Sequence, residues 1–248
     1  MRKQKKRSIA VIIAGIALVG IVFALFGKLE VADDVKKENI TDSVMGDENT
    51  VSGDGFEEKT SSFDAGCSIQ VSEIGSYSGT YMEDASDVEV SDVMMIKVKN
   101  TGEEPIQYAE VTLFANNTEV GLFKFSTLMP EETILVLESE KKVYDENVHI
   151  SRAIASNVAL FQNKPELYSD KIKIQSLDGG FNITNISDMD ITEEIVIYFK
   201  DCQEELLMGG ITYRGRIEGG LKKGEIRQVM SSNFTENNTC IMFVTIDG

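Results

Sequence analysis

The sequence predicts a mainly β protein, in which one N-terminal transmembrane helix is followed by two tandem antiparallel β-sandwich domains. Three observations support this fold class. Residues Ile9 to Phe26 form an uncharged apolar run behind five basic residues. From Phe63 onward, short segments rich in β-branched and aromatic residues alternate with polar turns, as strands do. The later segments also repeat the earlier ones at a spacing of about 85 residues.

Charge is distributed unevenly along the chain. The 248 residues include 24 Lys+Arg and 41 Asp+Glu, for a net charge of −17. Residues 1–27 hold five of the bases and no acid, so the remainder has a net charge of −22. So acidic a body excludes general nucleic-acid binding, which needs Lys and Arg along a surface stripe. The 42% hydrophobic content is sufficient for one or two packed cores.

The N-terminal residues predict a single-pass membrane protein. Residues 1–8 are a basic tip, and residues 9–27 are the predicted anchor, whose apolar part would span roughly 27 Å as a helix, close to the bilayer core. The bases place the N-terminus in the cytoplasm and the rest of the chain outside. A cleaved signal peptide is the alternative. It is less favoured because Leu25 stands where a small-x-small cleavage site begins.

Residues 28–62 are predicted to be an acidic, disordered tether. They contain ten acids and four lysines, and their scattered apolar residues follow neither a helical nor a strand period. Such a segment cannot bury enough apolar surface to offset its ordering entropy. As a flexible chain it would span on the order of 30 Å.

An internal repeat follows the tether. The segment Met95–Ile106 and the segment Gly180–Ile191 each contain an alternating strand that ends in Asn, a polar turn, and an Ile six residues after the Asn. Farther on, Leu128–Glu132 matches Leu221–Glu225, each a Leu followed four residues later by Glu. A repeat of this length suits two tandem domains better than solenoid units.

The repeat divides the body into a first sandwich (63–145), a connector (146–170) and a second sandwich (171–248). Short strands at close spacing in units of under 100 residues favour a sandwich. A helix over Ser151–Phe161 is an open alternative to the sixth strand, since Ile154, Val158 and Phe161 fit a helical face. The predicted strands are Ser68–Ile74, Val93–Lys99, Gln107–Ala115, Val120–Phe125, Thr133–Glu138, one within His149–Ser156, Lys171–Ser176, Gly180–Thr184, Glu193–Lys200, Met208–Arg214, Glu225–Ser231 and Thr239–Ile246.

This order of strand, Asn-polar turn, Ile, strand, then Leu-x-x-x-Glu into a further strand resembles the small immunoglobulin-like modules of bacterial envelope proteins. The FxLYD and CARDB-type families are similar to it over most of residues 64–248, twice over. The resemblance implies Ig-like sandwiches that act as extracytoplasmic interaction modules, with no catalytic residues to carry over. A composition rich in Lys, Glu and Ile also favours a bacterial source.

The sequence offers little for catalysis, so we predict a non-enzyme without cofactor or metal. His149 is the single histidine, and no nucleophile motif surrounds it. One histidine and three widely spaced cysteines do not make a structural zinc site. The glycine pairs lack the context of a phosphate-binding loop. The absence of Trp disfavours a glycoside hydrolase.

The segment from Tyr77 to Asp92 is the predicted recognition loop, because it is inserted relative to the second repeat and insertions on a rigid scaffold often carry binding. Its acidic residues lack the spacing of a calcium loop, which favours a solvated loop over a Ca²⁺ site. The candidate recognition residues are Tyr77, Tyr81, Glu83, Asp84 and Asp87.

Cys202 and Cys240 are a candidate disulfide, because they lie at the end of one predicted strand and the start of another. An oxidising compartment permits the bond, which would close about 38 residues. Separate reduced cysteines are the alternative. Cys67 would remain free.

These observations favour a non-catalytic binding or scaffold protein held at the outer face of a bacterial cell membrane. Its expected partners are the lipid bilayer, through residues 9–27, and an envelope protein or cell-wall polymer, with no nucleic acid. An accessory subunit of a membrane secretion, transport or pilus machine is the alternative. An envelope-polysaccharide hydrolase is a remote one.

Overall fold

The computed structural model describes residues 62–86, 88–204 and 206–247, which belong to one compact unit. These residues are mainly β, as predicted. The predicted tip, anchor and most of the tether lie outside the described residues, and no described helix could cross a membrane. The strands are β1 (Phe63–Gly66), β2 (Ile69–Thr80), β3 (Glu89–Asn100), β4 (Ile106–Ala115), β5 (Thr118–Leu128), β6 (Thr133–Leu137), β7 (Arg152–Leu160), β8 (Ile172–Leu177), β9 (Gly180–Asn185), β10 (Glu194–Gln203), β11 (Leu206–Ile217), β12 (Ile226–Met230) and β13 (Thr239–Asp247).

The described strands form three sheets. A long sheet has the order β1-β2-β3-β6-β11-β10-β13, a first small sheet has the order β5-β4-β7, and a second small sheet has the order β12-β9-β8. Neighbouring strands pair antiparallel, with the exception of β6 and β11, which pair parallel. The long sheet therefore runs without a break from the first half of the described chain into the second.

The two small sheets cover opposite faces of the long sheet. On β10, Tyr198 and Cys202 pack against the core that includes the first small sheet, whereas Ile197 and Phe199 belong to the core that includes the second. Successive side chains of a strand point to opposite faces. Each half is thus a pair of layers packed face to face, and one layer of each pair is part of the long sheet, with four of its strands in the first half and three in the second.

The predicted Asn turn has a clear physical basis in the first half. Asn100 is buried, and its Nδ2 donates to the carbonyl oxygens of Glu104 (2.9 Å) and Leu128 (3.1 Å). Its Oδ1 accepts from the backbone N–H of Gly102 (2.9 Å). One amide therefore ties the end of β3 to its own turn and to the end of β5.

Asn185 repeats this arrangement in the second half. Its Nδ2 donates to the carbonyl oxygens of Met189 (2.8 Å) and Leu221 (3.0 Å), and its Oδ1 accepts from the N–H of Ser187 (2.9 Å). Met189 and Ser187 lie 85 residues after their counterparts in the first turn, and Leu221 lies 93 residues after Leu128. Both offsets match those of the repeat in the sequence. The internal repeat is therefore visible at the level of single hydrogen bonds.

The strand order repeats as well, since β2-β3-β6 corresponds to β8-β9-β12 and β5-β4-β7 corresponds to β11-β10-β13. All twelve predicted segments overlap observed strands, and β1 is an addition that the sequence pattern did not indicate. The long sheet joins the two halves, so the strands alone do not mark a boundary between two domains. The predicted domain boundaries therefore stay a prediction.

The alternative helix over Ser151–Phe161 is wrong, because these residues include strand β7, which pairs with β4. Ala153 and Ala155 face inward as alternate residues of a strand, and Ile154 is exposed. Asn157 has a φ of +50°, and the pairing shifts there, which turns Val158 inward. This irregularity produced the helix-like spacing of apolar residues.

Candidate functional site

The junction between the two halves has unusual backbone geometry. Leu207 pairs with Ile134 and Met208 with Leu135, so that the first part of β11 extends the sheet of the first half. Met208 pairs with Asp201 and Tyr213 with Phe199, so that four residues of β11 lie opposite the single residue Lys200 of β10. These four residues form a bulge in β11. A Cβ on Gly210 would lie 1.9 Å from the carbonyl oxygen of Lys124, so the close approach of β11 to β5 requires glycine.

The side chain of Lys200 donates hydrogen bonds to the backbone carbonyl groups of this bulge. Its side chain is fully buried, and its Nζ donates to the carbonyl oxygens of Gly209 (3.2 Å), Gly210 (3.2 Å) and Ile211 (2.6 Å). Burial lowers the pKa of Lys200 to about 7, although the charge of Glu83 acts in the opposite direction. The lysine therefore holds three successive carbonyl groups that have no ladder partner at this point.

Glu83 connects the two halves from the other side of the junction. Its Oε1 accepts from the N–H of Leu137 at the end of β6 (2.8 Å), and its Oε2 accepts from the N–H of Gly210 on β11 (2.6 Å). Burial raises the pKa of Glu83 to about 7, against the lowering effect of these two hydrogen bonds and of Lys200. Glu83 thus bridges β6 and β11 where their parallel pairing ends.

The predicted recognition loop is shorter and more enclosed than expected, since β2 extends to Thr80 and β3 begins at Glu89. The side chain of Tyr81 is buried, and its hydroxyl donates to the carbonyl oxygen of Glu138 (3.0 Å). Tyr77 is half-buried, and its hydroxyl donates to the carbonyl oxygen of Thr80 (3.1 Å).

Two further predicted recognition residues lie on the same loop. Asp84 is exposed, forms an ion pair with Lys141 (3.2 Å), and has a pKa below its usual range, mainly because of its hydrogen bond from Ser86. Asp87 lies outside the described residues. The structure therefore brings Tyr81, Glu83 and Asp84 together beside the junction.

Tyr81, Glu83 and Asp84 line a junction cavity of about 530 Å³, between the recognition loop, β5 and β11. Opposite them are Lys124 and Thr212. The loop therefore contributes to a cavity between the halves through its inward-facing residues. The roles of Lys200 and of the Gly209-Gly210 pair were not predicted from the sequence, although a lysine within an otherwise apolar strand was a signal that could have been used.

A junction groove of about 870 Å³ lies next to this cavity. It lies on the same face of the long sheet as the first small sheet, over the part of that face that the small sheet does not cover. Tyr198 and Phe243 stack in the groove at a centroid distance of 4.2 Å, and Phe161 meets Phe243 edge-on at 5.2 Å. The lining residues are Gln107, Ser126, Thr127, Phe161, Gln162, Asn163, Lys164, Pro165, Glu166, Tyr168, Tyr198, Thr212, Arg214, Phe243, Val244 and Thr245.

The chemistry of the junction groove is predominantly neutral and polar. Three of its lining residues are charged, Lys164, Glu166 and Arg214, whereas hydroxyl and amide side chains supply most of the remaining polar atoms. The Oγ1 of Thr245 is buried and has no hydrogen-bond partner within the described residues. Such a surface offers hydrogen bonds to a polar ligand next to an aromatic anchor.

The single histidine lies away from both depressions at the junction. His149 is exposed and lies outside both the junction cavity and the junction groove. Within the ranges that the structure describes, no group of three or more His, Cys, Asp or Glu side chains is placed to hold a metal ion. The described acidic residues of the recognition loop therefore form no such group.

Cys202 and Cys240 form a disulfide that joins the end of β10 to the start of β13, with their Cα atoms 5.9 Å apart. The N–H of Cys202 also donates to the carbonyl oxygen of Asn238 (2.9 Å). Cys67 is exposed and free. The bond lies in the second half, on strands that also contribute Tyr198 and Phe243 to the junction groove.

No family model, no curated protein and no solved structure matches this chain.

Proposed function

We propose that this chain is a non-catalytic binding protein of a bacterial envelope, anchored in the cell membrane by residues 9–27 and acting outside the cytoplasm through two Ig-like sandwich modules. The observation that carries this proposal is the junction groove, a large surface depression with an aromatic pair and many neutral polar groups. Ligand sites commonly combine an apolar floor with a few convergent polar groups.

The disulfide between Cys202 and Cys240 supports the extracytoplasmic location. Disulfides persist in oxidising compartments such as the cell surface and are rare in the cytosol. This agrees with an N-terminus that the basic tip retains in the cytoplasm while the body is exported.

The arrangement of sheets supports the Ig-like assignment. Each half has six equivalent strands in two packed antiparallel layers, and both halves close the same buried Asn turn. Sandwiches of this kind serve many unrelated binding functions, so the ligand has to be argued from the junction groove itself. Its neutral polar lining favours a wall polymer rich in hydroxyl and amide groups or an extended segment of an envelope protein.

Arg214 provides the sharpest test of the groove, because Arg216 is a matched control two residues along the same strand. Arg214 lines the groove, whereas Arg216 lies outside it and pairs with Glu194 (3.3 Å). The full chain should co-sediment with isolated peptidoglycan sacculi if the ligand is the wall polymer. Arg214→Glu is expected to weaken this co-sedimentation several-fold, and Arg216→Glu is expected to leave it unchanged.

A protein partner is tested by a photo-reactive residue at Gln162, on the rim of the groove, in living cells. A specific protein adduct at Gln162, absent when the photo-reactive residue replaces Asn237, would identify that class of partner. If the chain neither co-sediments with sacculi nor forms an adduct at Gln162, the groove is not a binding site and the proposal fails.

The alternative function, an accessory subunit of a membrane machine, requires specific contacts by the anchor. Replacing residues 9–27 with an unrelated apolar helix separates the two proposals. A simple anchor tolerates the exchange, so that adducts at Gln162 persist, whereas an accessory subunit loses its partners.

A further inference from the structure

The edges of the three sheets differ in how they are protected. An unprotected edge strand presents unpaired N–H and C=O groups to solvent, and natural proteins cover or interrupt such edges. The three sheets of the described chain end at β1, β13, β5, β7, β12 and β8.

Two edges are covered by other parts of the chain. The N–H of Val244 on β13 donates to the carbonyl oxygen of Glu166 in the connector (2.8 Å), which shields that edge. On β5, the carbonyl oxygen of Leu122 accepts from the N–H of Ser139 (2.9 Å), and the N–H of Leu122 donates to the carboxylate of Glu138 (3.2 Å). Neither strand can therefore add a new neighbour freely.

Three other edges carry interruptions or charge. Strand β1 has four residues, and its pairing shifts between Asp64 and Gly66. Strand β7 is irregular around Asn157, which has a positive φ. Strand β8 carries an exposed Lys173 at its second position. Short length, bulges and lysines are features that discourage edge-to-edge association.

Strand β12 is also short and carries one exposed cation, but within the described residues the guanidinium of Arg227 is paired with the carboxylate of Glu225 (2.9 Å) and the strand has no bulge. Its register with β9 runs without interruption from Ile226, opposite Thr184, to Met230, opposite Gly180. The side chains of Ile226 and Met230 are 63% and 65% exposed, and they lie on the outer face with Gln228, whereas Val229 faces the second core. An edge strand that exposes two large apolar side chains on one face favours an interaction there.

The repeat shows what the equivalent edge does in the first half. Strand β6 corresponds to β12. The side of β6 that faces away from β3 pairs with β11. In the first half, the sheet therefore continues beyond β6 through a further strand, β11. Among the described strands, none lies beside the same side of β12 in the second module.

We propose that β12 pairs antiparallel with β12 of a second copy of this chain, which joins the two second small sheets into one six-stranded sheet. With Gln228 on the two-fold axis, Ile226 lies opposite Met230 of the partner copy and Arg227 lies opposite Val229. The strand is thus self-complementary, because apolar residues meet on the outer face and no like charges are opposed. This self-complementarity favours a second copy over the strand of a different protein.

Pairing of five residues from each copy is small compared with stable interfaces of about 1,600 Å². The dimer is therefore expected to be weak and dependent on concentration, and covalent trapping is the suitable test. Gln228 is suited to it because facing Cβ atoms across an antiparallel pair lie about 4.5–5.5 Å apart.

Gln175 on β8 is a matched control, because Gln175 and Gln228 both pair with Asn182, on opposite sides of β9. The full chain in detergent, with Cys67→Ser, should form a reducible dimer with Gln228→Cys under mild oxidation. The dimer fraction should be several times that of Gln175→Cys. Equal cross-linking at the two positions would overturn the proposal.

A charge variant tests the same edge without a cross-link. Gln228→Glu places two carboxylates opposite each other, and sedimentation velocity should then show a several-fold loss of dimer compared with Gln175→Glu. Both side chains are exposed, so the melting temperatures should equal that of the unmodified chain. A chain that is monomeric before substitution, or a dimer that Gln228→Glu leaves intact, would overturn the proposal.

Discussion

The first half of the described chain, residues 63–160, and the second, residues 171–247, share their strand order but differ at β6 and at its counterpart β12. In the first half, β6 has buried residues on both faces, since Ile134 and Val136 belong to the first core while Leu135 and Leu137 belong to a separate cluster beside the recognition loop. In the second half, four of the five residues of β12 are exposed. The burial of a strand thus depends on its neighbours as much as on the module that contains it.

A second difference follows immediately after these strands. Glu138 is buried after β6, where its carboxylate accepts from the N–H groups of Leu122, Glu140 and Lys142. The equivalent residue after β12 is Ser231, whose hydroxyl accepts from one N–H, that of Asn233. In the first half, one buried carboxylate therefore accepts hydrogen bonds from three backbone N–H groups after β6. In the second half, a hydroxyl group accepts one such hydrogen bond after β12.

The largest expected effect concerns the disulfide, which only the second half contains among the described residues. Replacing Cys202 and Cys240 by Ala should lower the free energy of unfolding by about 4 kcal/mol, from the entropy of closing a loop of 38 residues. Chemical denaturation of the full chain measures this loss. If the halves unfold together, the whole transition shifts. A shift confined to the second half would contradict that coupling.

The next effect concerns the junction. Gly210→Ala should destabilise the chain by about 3 kcal/mol, because a Cβ atom would overlap the carbonyl oxygen of Lys124 and displace Glu83. Gly219→Ala is the control, since no atom lies within 4 Å of its Cβ position, and its positive φ alone costs about 1 kcal/mol. Thermal denaturation compares the two variants. Equal losses would show that β11 does not depend on this close approach.

The repeated Asn turn provides a test of equivalence. Asn100→Ala and Asn185→Ala should each cost about 3 kcal/mol, because each removes at least three hydrogen bonds of the side-chain amide, one of them to a buried carbonyl group. Denaturation midpoints of the two variants should agree closely. A loss at one position alone would mean that the two turns do not play the same structural role.

The junction charges contribute a pH dependence of stability, in which Glu83 and Lys200 act in different pH intervals. Glu83 keeps its proton up to about pH 7 in the folded chain and loses it near pH 4.5 when unfolded, so its contribution to stability falls as pH rises between these values. Lys200 loses its proton near pH 7 when folded and near pH 10.5 when unfolded, so its contribution rises with pH over that interval.

Glu83→Gln is therefore expected to remove a decline in stability between about pH 4.5 and pH 7. Unfolding free energies measured across this interval, with the exposed Glu119→Gln as the control, provide the check. An unchanged pH profile in Glu83→Gln would show that Glu83 is ionised in the folded chain over the whole interval.

Local patterns were sufficient to predict the strands and the repeat. Alternation identified β3, and the spacing of Asn100 and Asn185 identified two equivalent turns. The continuous long sheet was not predicted, although the unbroken apolar run Ile134–Leu137 indicated a strand covered on both faces. Pairing between β6 and β11 joins residues more than 70 positions apart, and no local pattern specifies it.

The candidate site was predicted only in part, for a related reason. Glu83 was predicted as a recognition residue because its loop is inserted relative to the second repeat, whereas its carboxylate accepts hydrogen bonds from Leu137 and Gly210 on two distant strands. Lys200 and the residues of the junction groove come from both halves, so their proximity depends on the join itself. The disulfide partners, by contrast, could be proposed from their positions at strand ends.

The central claim is that the two halves form one body through β6 and β11, and calorimetry of the full chain with its disulfide intact tests it most directly. The account predicts a single unfolding transition in which the calorimetric and van't Hoff enthalpies agree. Two resolved transitions, one of which moves alone when Cys202 and Cys240 are replaced, would contradict it.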